Sequence, residues 1–214
     1  MAKFGQGILG SLKGKIGPVI GSSWRGISYL KSKPLRKKNA GSIKQQQQRK
    51  KFGMVLRFTR PMSSLLNKVF ITGAQNMTGV NAATSFIINT AIKGDFPNYS
   101  IDYSLVKIAR GNLPNVVIPA ATVVNHSLSI TWVNNTGIGK SKDNDRAVIL
   151  IYCPSQNTAI HNDTIATRGT QLLQIDIGHF RGEEVHVYLS FLSQDMKDAA
   201  DSVYLGKFIV ESNG

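Results

Sequence analysis

The distribution of charge divides this 214-residue chain into two parts. Residues 1–94 contain twelve Lys and five Arg but no Asp or Glu, and the first acidic residue is Asp95. The remaining residues contain nine Lys or Arg against twelve Asp or Glu, a net charge of −3 within a total of +14. A boundary this sharp predicts a basic region that faces a polyanion or takes part in assembly, joined to an ordinary folded domain.

The single cysteine and the pattern of apolar residues restrict where the protein works. Cys153 cannot form an intramolecular disulfide, so we expect a buried thiol and a fold that needs no oxidising compartment. Glycine and lysine interrupt the apolar residues of the opening segment, which therefore does not resemble a signal peptide. No run of about 18 apolar residues occurs, so we predict no membrane span. We expect synthesis in the cytoplasm, followed by retention there or in a virion or other particle assembled there.

Residues 1–42 are predicted to form a glycine-rich basic arm. Its eight glycines are Gly5, Gly7, Gly10, Gly14, Gly17, Gly21, Gly26 and Gly41. Glycine at this density disfavours helices and suits turns or close backbone approach. Residues 18–20 and 27–30 are candidate short strands, with a turn over residues 21–26. We predict a small hairpin, or an extended arm that becomes ordered against a partner.

Residues 43–98 are predicted to form a helical section. Apolar residues at spacings of three and four, with Lys and Arg between them, predict an amphipathic helix over residues 43–58. Pro61 would end this helix or open a second one, whose apolar face continues to about residue 71. Residues 81–92 are a third candidate helix. The apolar side chains that we expect these helices to bury include Leu56, Leu65 and Phe70.

Residues 99–214 are predicted to form an antiparallel β-sandwich domain. The apolar period approaches two, most clearly over residues 184–192. The candidate strands are residues 105–109, 116–118, 127–133, 147–152, 164–167, 171–175, 184–192 and 203–210. Roughly seven short strands separated by turn signals, with Trp132 on an early one, favour an immunoglobulin-like or fibronectin-like sandwich, and a jelly roll is the competing topology. The predicted fold class is therefore α+β, mainly β.

No motif in the sequence indicates an active site. Residues 5–10 match G-x-G-x-x-G, but a dinucleotide site needs a preceding strand, and only four residues come before the first glycine. The histidines lack metal-ligand spacing, and we expect His186 at the surface, on the polar side of its strand. Asp195, Asp198 and Asp201 predict a solvated loop, with a weak ion site as the alternative. We predict no enzyme, cofactor, metal site or small-molecule substrate.

Clusters of Lys and Arg are the strongest functional signal. The residues predicted to contact nucleic acid are Lys31, Lys33, Arg36, Lys37, Lys38, Lys44, Arg49, Lys50 and Lys51. Such contacts release counterions, so the affinity would depend steeply on salt and little on sequence. The aromatic residues predicted to stack on unpaired bases are Trp24, Tyr29, Phe52 and Phe58. The alternatives are a basic surface that maintains solubility, an acidic protein partner or, more weakly, residues 43–60 lying on anionic lipid.

The apolar residues of the arm suit contact with protein. They are separated by glycines and precede the main cation clusters, so we predict that the first thirty residues or so contact neighbouring subunits. The residues concerned are Phe4, Ile8, Leu9, Ile16, Val19, Ile20, Trp24 and Tyr29. Trp24 and Tyr29 thus belong to both predicted surfaces.

Several stretches carry a resemblance to a known family. They are M-A-K-F-x-x-G-I-L-G-x-x-x-G-K-I-G-x-V-I-G-S-S-W-R-G-I-x-Y at residues 1–29, Gln47-Gln48-Arg49 with Phe52, Asn81-Ala82-Ala83, residues 97–99 with 101–103, and residues 201–206. On these residues the chain resembles, over nearly its whole length, a family of uncharacterised small basic proteins from Bacteroidota-type bacteria. The resemblance implies an association with prophages or mobile elements. It transfers no functional residue, because the family carries no established activity.

Together these features predict a structural assembly protein, a capsid or tail component of a virion or virus-like particle that forms a homo-oligomer or shell. Its basic arm would contact nucleic acid or neighbouring subunits. Ordering the backbone costs about 1–2 kcal/mol per residue, which a repeated symmetric assembly offsets most readily. The alternative is a soluble, non-sequence-specific nucleic-acid-binding accessory protein of a mobile element. An adhesion protein is a third class, which the missing signal peptide disfavours.

Overall fold

The protein divides into two compact units, Met1–Gly41 and Ser42–Gly214. The computed structural model describes residues 3–4, 12–24, 27–34, 41–72 and 77–211. The first unit contains a four-stranded antiparallel sheet in the order β1-β2-β3-β4. These strands, which we name the N-terminal sheet, are β1 (Lys3–Phe4), β2 (Leu12–Ile16), β3 (Val19–Trp24) and β4 (Ile27–Ser32). Gly17 has a φ of +55° in the turn between β2 and β3, a left-handed conformation that favours glycine.

The arm is a larger sheet than the predicted hairpin, and the turn predicted over residues 21–26 is wrong in its extent. β3 continues to Trp24, which pairs with Ile27, so only two residues separate the paired strands. Gly21 lies buried inside β3, opposite Gly14 on one side and Leu30 on the other. The small residues that favoured a turn in the sequence instead occupy strand positions, where they permit close backbone approach.

Three helices open the second unit. They are α1 (Ile43–Thr59), α2 (Ser63–Val69) and α3 (Gly79–Thr90), and the short strands β5 (Ile92–Lys93) and β6 (Ser100–Ile101) follow them. A capping box starts α1: the Gln45 N–H donates to Ser42 Oγ at 3.3 Å, and the Ser42 N–H donates to Gln45 Oε1 at 3.2 Å. Pro61 lies in a 3-10 turn between α1 and α2. The three predicted helices are confirmed, with small shifts at their ends.

The burial predicted for the helices is confirmed for Leu65 and Phe70 but wrong for Leu56, which is 38% exposed. Val55 and Phe58 are the buried residues of this part of α1. Each residue of an α-helix is rotated by about 100° from its predecessor. Leu56 is therefore turned away from the face that Val55 and Phe58 present to the core.

Seven strands form the β-sandwich domain. They are β7 (Val117–Val124), β8 (Ser127–Val133), β9 (Arg146–Cys153), β10 (Thr158–Asn162), β11 (Leu172–Asp176), β12 (Glu184–Leu192) and β13 (Val203–Ile209). One antiparallel sheet has the order β11-β8-β7 and the other has the order β10-β9-β12-β13. This is an immunoglobulin-like order in which the fourth strand pairs with the third, the fibronectin-like variant. The predicted fold class, α+β and mainly β with an antiparallel sandwich, is confirmed.

The helices cover the outer face of the four-stranded sheet and add a third layer. β9 is buried along nearly its whole length. Val148 and Leu150 belong to the core that the helices share with this sheet, whereas Ile149 and Ile151 belong to the core between the two sheets. A strand covered on both faces has a continuous apolar sequence. The helical section therefore packs on the sandwich within one compact unit.

The polar side of β12 is also buried, which corrects the expectation of a surface histidine at position 186. His186 is 5% exposed, and its Nδ1 lies 2.8 Å from the Tyr204 hydroxyl. On the same side of the strand, the Tyr188 hydroxyl donates to the Tyr103 carbonyl and the Ser190 hydroxyl donates to the Ala200 carbonyl, each at 2.8 Å. The predicted alternation of β12 is confirmed, but the helical layer and the loop after it cover the second face.

The strand predicted over residues 105–109 is wrong. Its start belongs to a 3-10 turn, Tyr103–Leu105, which Asp102 caps by accepting a hydrogen bond from the Ser104 N–H. The Ile108 N–H donates to the Ser202 hydroxyl at 2.9 Å. A side chain therefore takes the place of a neighbouring strand.

The strand predicted over residues 164–167 is also wrong, since this stretch contributes a single bridge, between Thr167 and Arg146. The strand that the sequence did not predict, β10, comes just before it and pairs with β9 at the edge of the sheet. Its sequence, Thr-Ala-Ile-His-Asn, is half polar and only partly buried. Such an edge strand has too weak an alternation for periodicity to identify.

Candidate functional site

The N-terminal sheet has two faces of different chemistry. Residues directly opposite each other on neighbouring strands share a face, and successive residues of a strand alternate between faces. The rows of one face, named the aromatic face, are Lys15–Ile20–Lys31, Ser22–Tyr29 and Trp24–Ile27. The rows of the other, named the aliphatic face, are Ile16–Val19–Ser32, Gly14–Gly21–Leu30 and Ser23–Ser28.

The aromatic face combines exposed apolar rings with cations. Trp24 is 66% exposed, Ile27 is 70% exposed and Tyr29 is 43% exposed. Lys31 Nζ lies 5.8 Å from the centroid of the Tyr29 ring, within the range of a cation–π contact. Lys15 and Lys31 flank Ile20 in the adjoining row. No carboxylate opposes them in sequence, because Asp95 is the first acid of the chain.

The aliphatic face carries no charged side chain in its three rows. Leu30 is 64% exposed, and Ile16 is also exposed. Gly14 and Gly21 lie beside Leu30 in the central row, so the surface there is low and apolar. A surface of this kind fits another protein surface better than it fits a charged polymer.

The structure therefore divides the residues predicted for subunit contact between two surfaces. Ile20, Trp24 and Tyr29 lie on the aromatic face, whereas Ile16 and Val19 lie on the aliphatic face. Phe4 lies in β1. Ile8 and Leu9 lie outside the described residues. Because these residues lie on opposite faces of the sheet, they do not form a single contact surface.

The residues predicted to contact nucleic acid also fall into separate groups. Lys31 is on the aromatic face, and Lys33 follows β4 and is exposed. Lys44, Arg49 and Lys50 are exposed on α1. The remaining predicted cations, Arg36, Lys37 and Lys38, lie outside the described residues.

Lys51 differs from the exposed cations of α1 in its surroundings. It is half-buried, and its Nζ is 4.8 Å from the centroid of the Tyr99 ring. This contact stabilises the cation against an aromatic ring of the protein itself. The exposed basic stripe of α1 consists instead of Lys50 with two arginines that the prediction omits, Arg57 and Arg60.

The signal for Arg57 was present in the sequence, since it follows Lys50 by seven residues, or two helical turns. Arg60 extends the same exposed surface into the 3-10 turn. Neither arginine forms a salt bridge with a carboxylate in the described part of the chain. Both positive charges are therefore available to an external anion.

Of the four aromatic residues predicted to stack on bases, Phe52 and Phe58 belong to the second unit. Phe58 is buried, with its ring centroid 4.7 Å from that of Tyr152 and 5.8 Å from that of Tyr103. It is a core residue, and the prediction is wrong. Phe52 is exposed, but it lines a cavity of about 470 Å³ between α1 and α3. Trp24 and Tyr29 share the aromatic face with Lys15 and Lys31.

The cavity between α1 and α3 has a polar wall. The lining residues of α3 are Asn81, Thr84, Ser85, Ile88 and Asn89, and those of α1 are Gln48 and Phe52. The residues of α3 follow the spacing of one helix face. Thr84 Oγ1 is buried without a hydrogen-bond partner in the described structure, which destabilises the fold because the hydroxyl has left water uncompensated.

A buried arginine connects the loops at one end of the sandwich. Arg168 is fully buried, and its Nε–H donates to Asp145 Oδ2 at 3.1 Å. Its terminal nitrogens donate to Asn135 Oδ1 at 2.5 Å and to the Pro114 carbonyl at 2.9 Å. The guanidinium also lies 4.5 Å from the centroid of the Phe191 ring. These contacts use the cation internally, so its role is structural; the sequence showed only a turn signal there.

Acidic and metal-binding chemistry is limited in the described part of the chain. Within those residues no cluster of three or more His, Cys, Asp or Glu is arranged to hold a metal ion. Asp198 pairs with Lys140 at 3.0 Å, and Asp201 pairs with Lys107. The loop aspartates are thus directed towards different lysines. None of the described helices is long and apolar enough to cross a membrane.

The fold and the two surfaces define a class: a basic protein that combines a fibronectin-like sandwich, a helical layer and an N-terminal sheet exposed on both faces. The chain belongs to DUF6266, a family of unknown function, whose model matches residues 11–206. No curated protein matches it. Among solved structures it is similar to the fn3 domain of human contactin 1, determined in solution, with 7% identity, a TM-score of 0.36, and coverage of 49% of this chain and 83% of that chain. The link to Bacteroidota-type bacteria and prophages stays a prediction.

Proposed function

We propose that the protein is a structural assembly protein, a capsid or tail subunit of a virion or virus-like particle. In this proposal Ser42–Gly214 is the ordered shell module, and Met1–Gly41 contacts nucleic acid or neighbouring subunits. The observation that carries the proposal is the N-terminal sheet, which exposes large apolar side chains on both faces. The proposal includes no catalytic role, cofactor or small-molecule substrate.

Exposed apolar surface on both sides of a sheet supports association. None of the six residues of β4 is buried, and contiguous apolar patches of this kind mark interaction surfaces. Full burial of one large apolar side chain stabilises a complex by about 1.5–3 kcal/mol. A partner that covers Leu30 and Ile16, which are 64% and 43% exposed, would therefore gain part of two such contributions. In a closed symmetric assembly, every copy makes the same contact.

The charge supports nucleic acid as a component of that assembly. Residues 1–94 carry seventeen Lys and Arg and no acid, so the basic regions of neighbouring copies repel one another. A polyanion neutralises this repulsion and releases counterions when it binds. Assembly should therefore be stronger with a polynucleotide than without one, and weaker at high salt.

The mass and shape of the purified full-length chain test the proposal. We expect light scattering and negative-stain microscopy to find rings or particles, with or without added polynucleotide. Leu30→Lys and Ile16→Lys place charges on the aliphatic face and should disassemble them. Val124→Lys, at an exposed apolar position of β7, is the matched control and should leave assembly intact. A monomer under all these conditions would overturn the proposal.

The second candidate function is a soluble, non-sequence-specific nucleic-acid-binding accessory protein of a mobile element. The exposed stripe of Lys50, Arg57 and Arg60 favours it, because these cations need no second subunit to reach a phosphate backbone. A monomer or dimer that binds polynucleotide with a steep salt dependence would support this function over the first.

A further inference from the structure

We propose that the aromatic face of the N-terminal sheet binds single-stranded nucleic acid, with bases stacked on Trp24 and Tyr29 and phosphates paired with Lys15 and Lys31. This inference rests on the nucleic-acid contact in the proposed function and specifies its partner and its surface. The sequence placed aromatic and basic residues near each other along the chain. The register places these four on one face.

The spacing of the two rings suits consecutive bases. Trp24 pairs directly with Ile27, and Tyr29 is two residues further along the same strand. Side chains in this diagonal relation are about 7–8 Å apart on one face of a sheet. Ser22, with a short side chain, lies beside Tyr29 in the row adjoining that of Trp24, and Trp24 and Tyr29 are 66% and 43% exposed. An extended strand can therefore place one base on each ring.

The lysines supply the second half of the recognition. The row of Lys15, Ile20 and Lys31 adjoins the row of Tyr29, so cations lie on one side of the rings. A sheet with aromatic residues for bases and cations for phosphates is a common way to bind single strands. In a duplex the bases stack on one another, and their faces are closed to a flat protein surface. The aromatic face therefore favours single strands.

A comparison with the aliphatic face shows why the aromatic face suits nucleic acid better than it suits another protein. The aliphatic face has no charged row and can be covered by an apolar surface. Covering the aromatic face in the same way would bury Lys15 and Lys31 away from water, which is costly unless each lysine finds an anion. A polymer that presents bases and phosphates together satisfies both kinds of residue.

The two tryptophans of the chain make the test direct. Trp24 is exposed, whereas Trp132 is 3% exposed and its Nε1–H donates to the Arg168 carbonyl at 2.8 Å. Full-length protein is titrated with an oligothymidylate of about 15 nucleotides, near the upper end of known site sizes. We expect quenching of the exposed tryptophan, and no quenching in Trp24→Phe, which should bind a labelled oligonucleotide within about threefold of wild type because it keeps a ring.

Variants that remove one ring at a time test the stacking. Trp24→Ala and Tyr29→Ala should each weaken binding at least about fivefold, the lower limit for loss of one stacked base. Val124→Ala, at an exposed apolar position of β7 outside the N-terminal sheet, is the matched control and should change the affinity by less than about twofold.

Two further ligands decide the outcome. A duplex of matched length and heparin, which carries charge without bases, should bind more weakly and leave tryptophan fluorescence unchanged. Equal affinity for the duplex, or equal quenching by heparin, would overturn the single-strand inference while leaving polyanion contact in place. If no polyanion binds even at low salt, the nucleic-acid contact in the proposed function fails with it.

Discussion

The N-terminal sheet and the four-stranded sheet of the sandwich both contain large apolar residues, but their surroundings are opposite. All six residues of β4 are exposed, whereas all residues of β9 after Arg146 are buried. Helices cover one face of β9 and a second sheet covers the other. Apolar side chains in a strand are more stable when another layer buries them. The layers of the same chain bury those of β9, whereas those of β4 stay exposed.

The two regions also differ in how they use cations. In the sandwich, Arg168 is surrounded by Asp145, Asn135 and Phe191 and is used internally. In the N-terminal sheet, Lys15 and Lys31 lie on an exposed face with no acid in the first 94 residues. A charge that is paired within the fold is not available to a partner, whereas a charge left at the surface is.

Replacing Arg168 should give the largest effect on the sandwich. Arg168→Met removes the buried cation and leaves the Asp145 carboxylate without its partner, which should lower the free energy of unfolding by about 3–5 kcal/mol. Urea unfolding followed by near-UV circular dichroism measures this. Lys207→Met removes a cation from an exposed pair with Glu184 and should cost about 0–1 kcal/mol. Equal losses in the two variants would mean that Arg168 is not buried.

The same Leu→Ala substitution in both sheets compares how much each leucine contributes to stability. Leu150→Ala creates a cavity beneath the helices and should lower the free energy of unfolding by about 2–5 kcal/mol. Leu30→Ala, at a position that is 64% exposed, should change it by no more than about 0.5 kcal/mol. Both are measured by urea unfolding of dilute protein. A loss for Leu30→Ala as large as that for Leu150→Ala would show that the aliphatic face is already covered.

His186 should make the stability of the sandwich depend on pH. Burial lowers the pKa of His186 below its ordinary value of about 6.5, Glu184 opposes this shift and Lys207 adds to it. Below pH 6.5, His186 binds a proton more readily in the unfolded chain than in the folded chain. Its contribution to the free energy of unfolding is therefore fully present above pH 6.5 and is lost as the pH drops below it. The slope is at most about 1.4 kcal/mol per pH unit.

Urea unfolding between pH 7.5 and pH 5, compared with His186→Gln, measures the contribution of His186 alone, since the other histidines are common to both proteins. Asp102 does not interfere, because the hydrogen bond from Lys93 lowers its pKa to about 2. Parallel stability curves for the two proteins over this range would contradict the prediction.

Thr84 should give the smallest effect, and its sign is opposite. Thr84→Val removes the buried hydroxyl without a partner and keeps the shape of the side chain, so we expect a gain of about 1 kcal/mol. The melting temperature and urea midpoint measure it. The matched control is Thr90→Val, which removes a hydroxyl that donates to the Phe86 carbonyl at 2.8 Å. A loss of stability for Thr84→Val would show that its hydroxyl has a partner, such as a bound water.

Periodicity predicted the helices and most strands because it reflects local geometry. It identified α1 and the alternation of β12, yet it placed His186 at the surface, because the layer that covers this residue comes from a distant part of the chain. The glycines of β2 and β3 indicated turns, since sequence alone does not show whether glycine serves a turn or close strand packing.

The candidate site was predictable in composition but not in arrangement. Trp24, Tyr29 and Lys31 could be named from their proximity in sequence. Their common face depends on the pairing of β3 with β4, and Lys15 joins them only through the pairing of β2 with β3. Phe58 was predicted on the same grounds as Trp24 and Tyr29, but it is a core residue. The sequence showed no signal for the buried contacts of Arg168, because they are made with residues 23 to 54 positions away.

The position of Cys153 makes the rate of thiol labelling a probe of local opening in the sandwich. Its thiol is the only one in the chain and is fully buried at the end of β9, with Sγ 3.1 Å from the Ser155 hydroxyl. A thiol reagent can react only when this end of the strand opens. The rate of labelling therefore measures how often this end of β9 opens. A partner that keeps it closed would lower the labelling rate, and no engineered cysteine is needed to measure this.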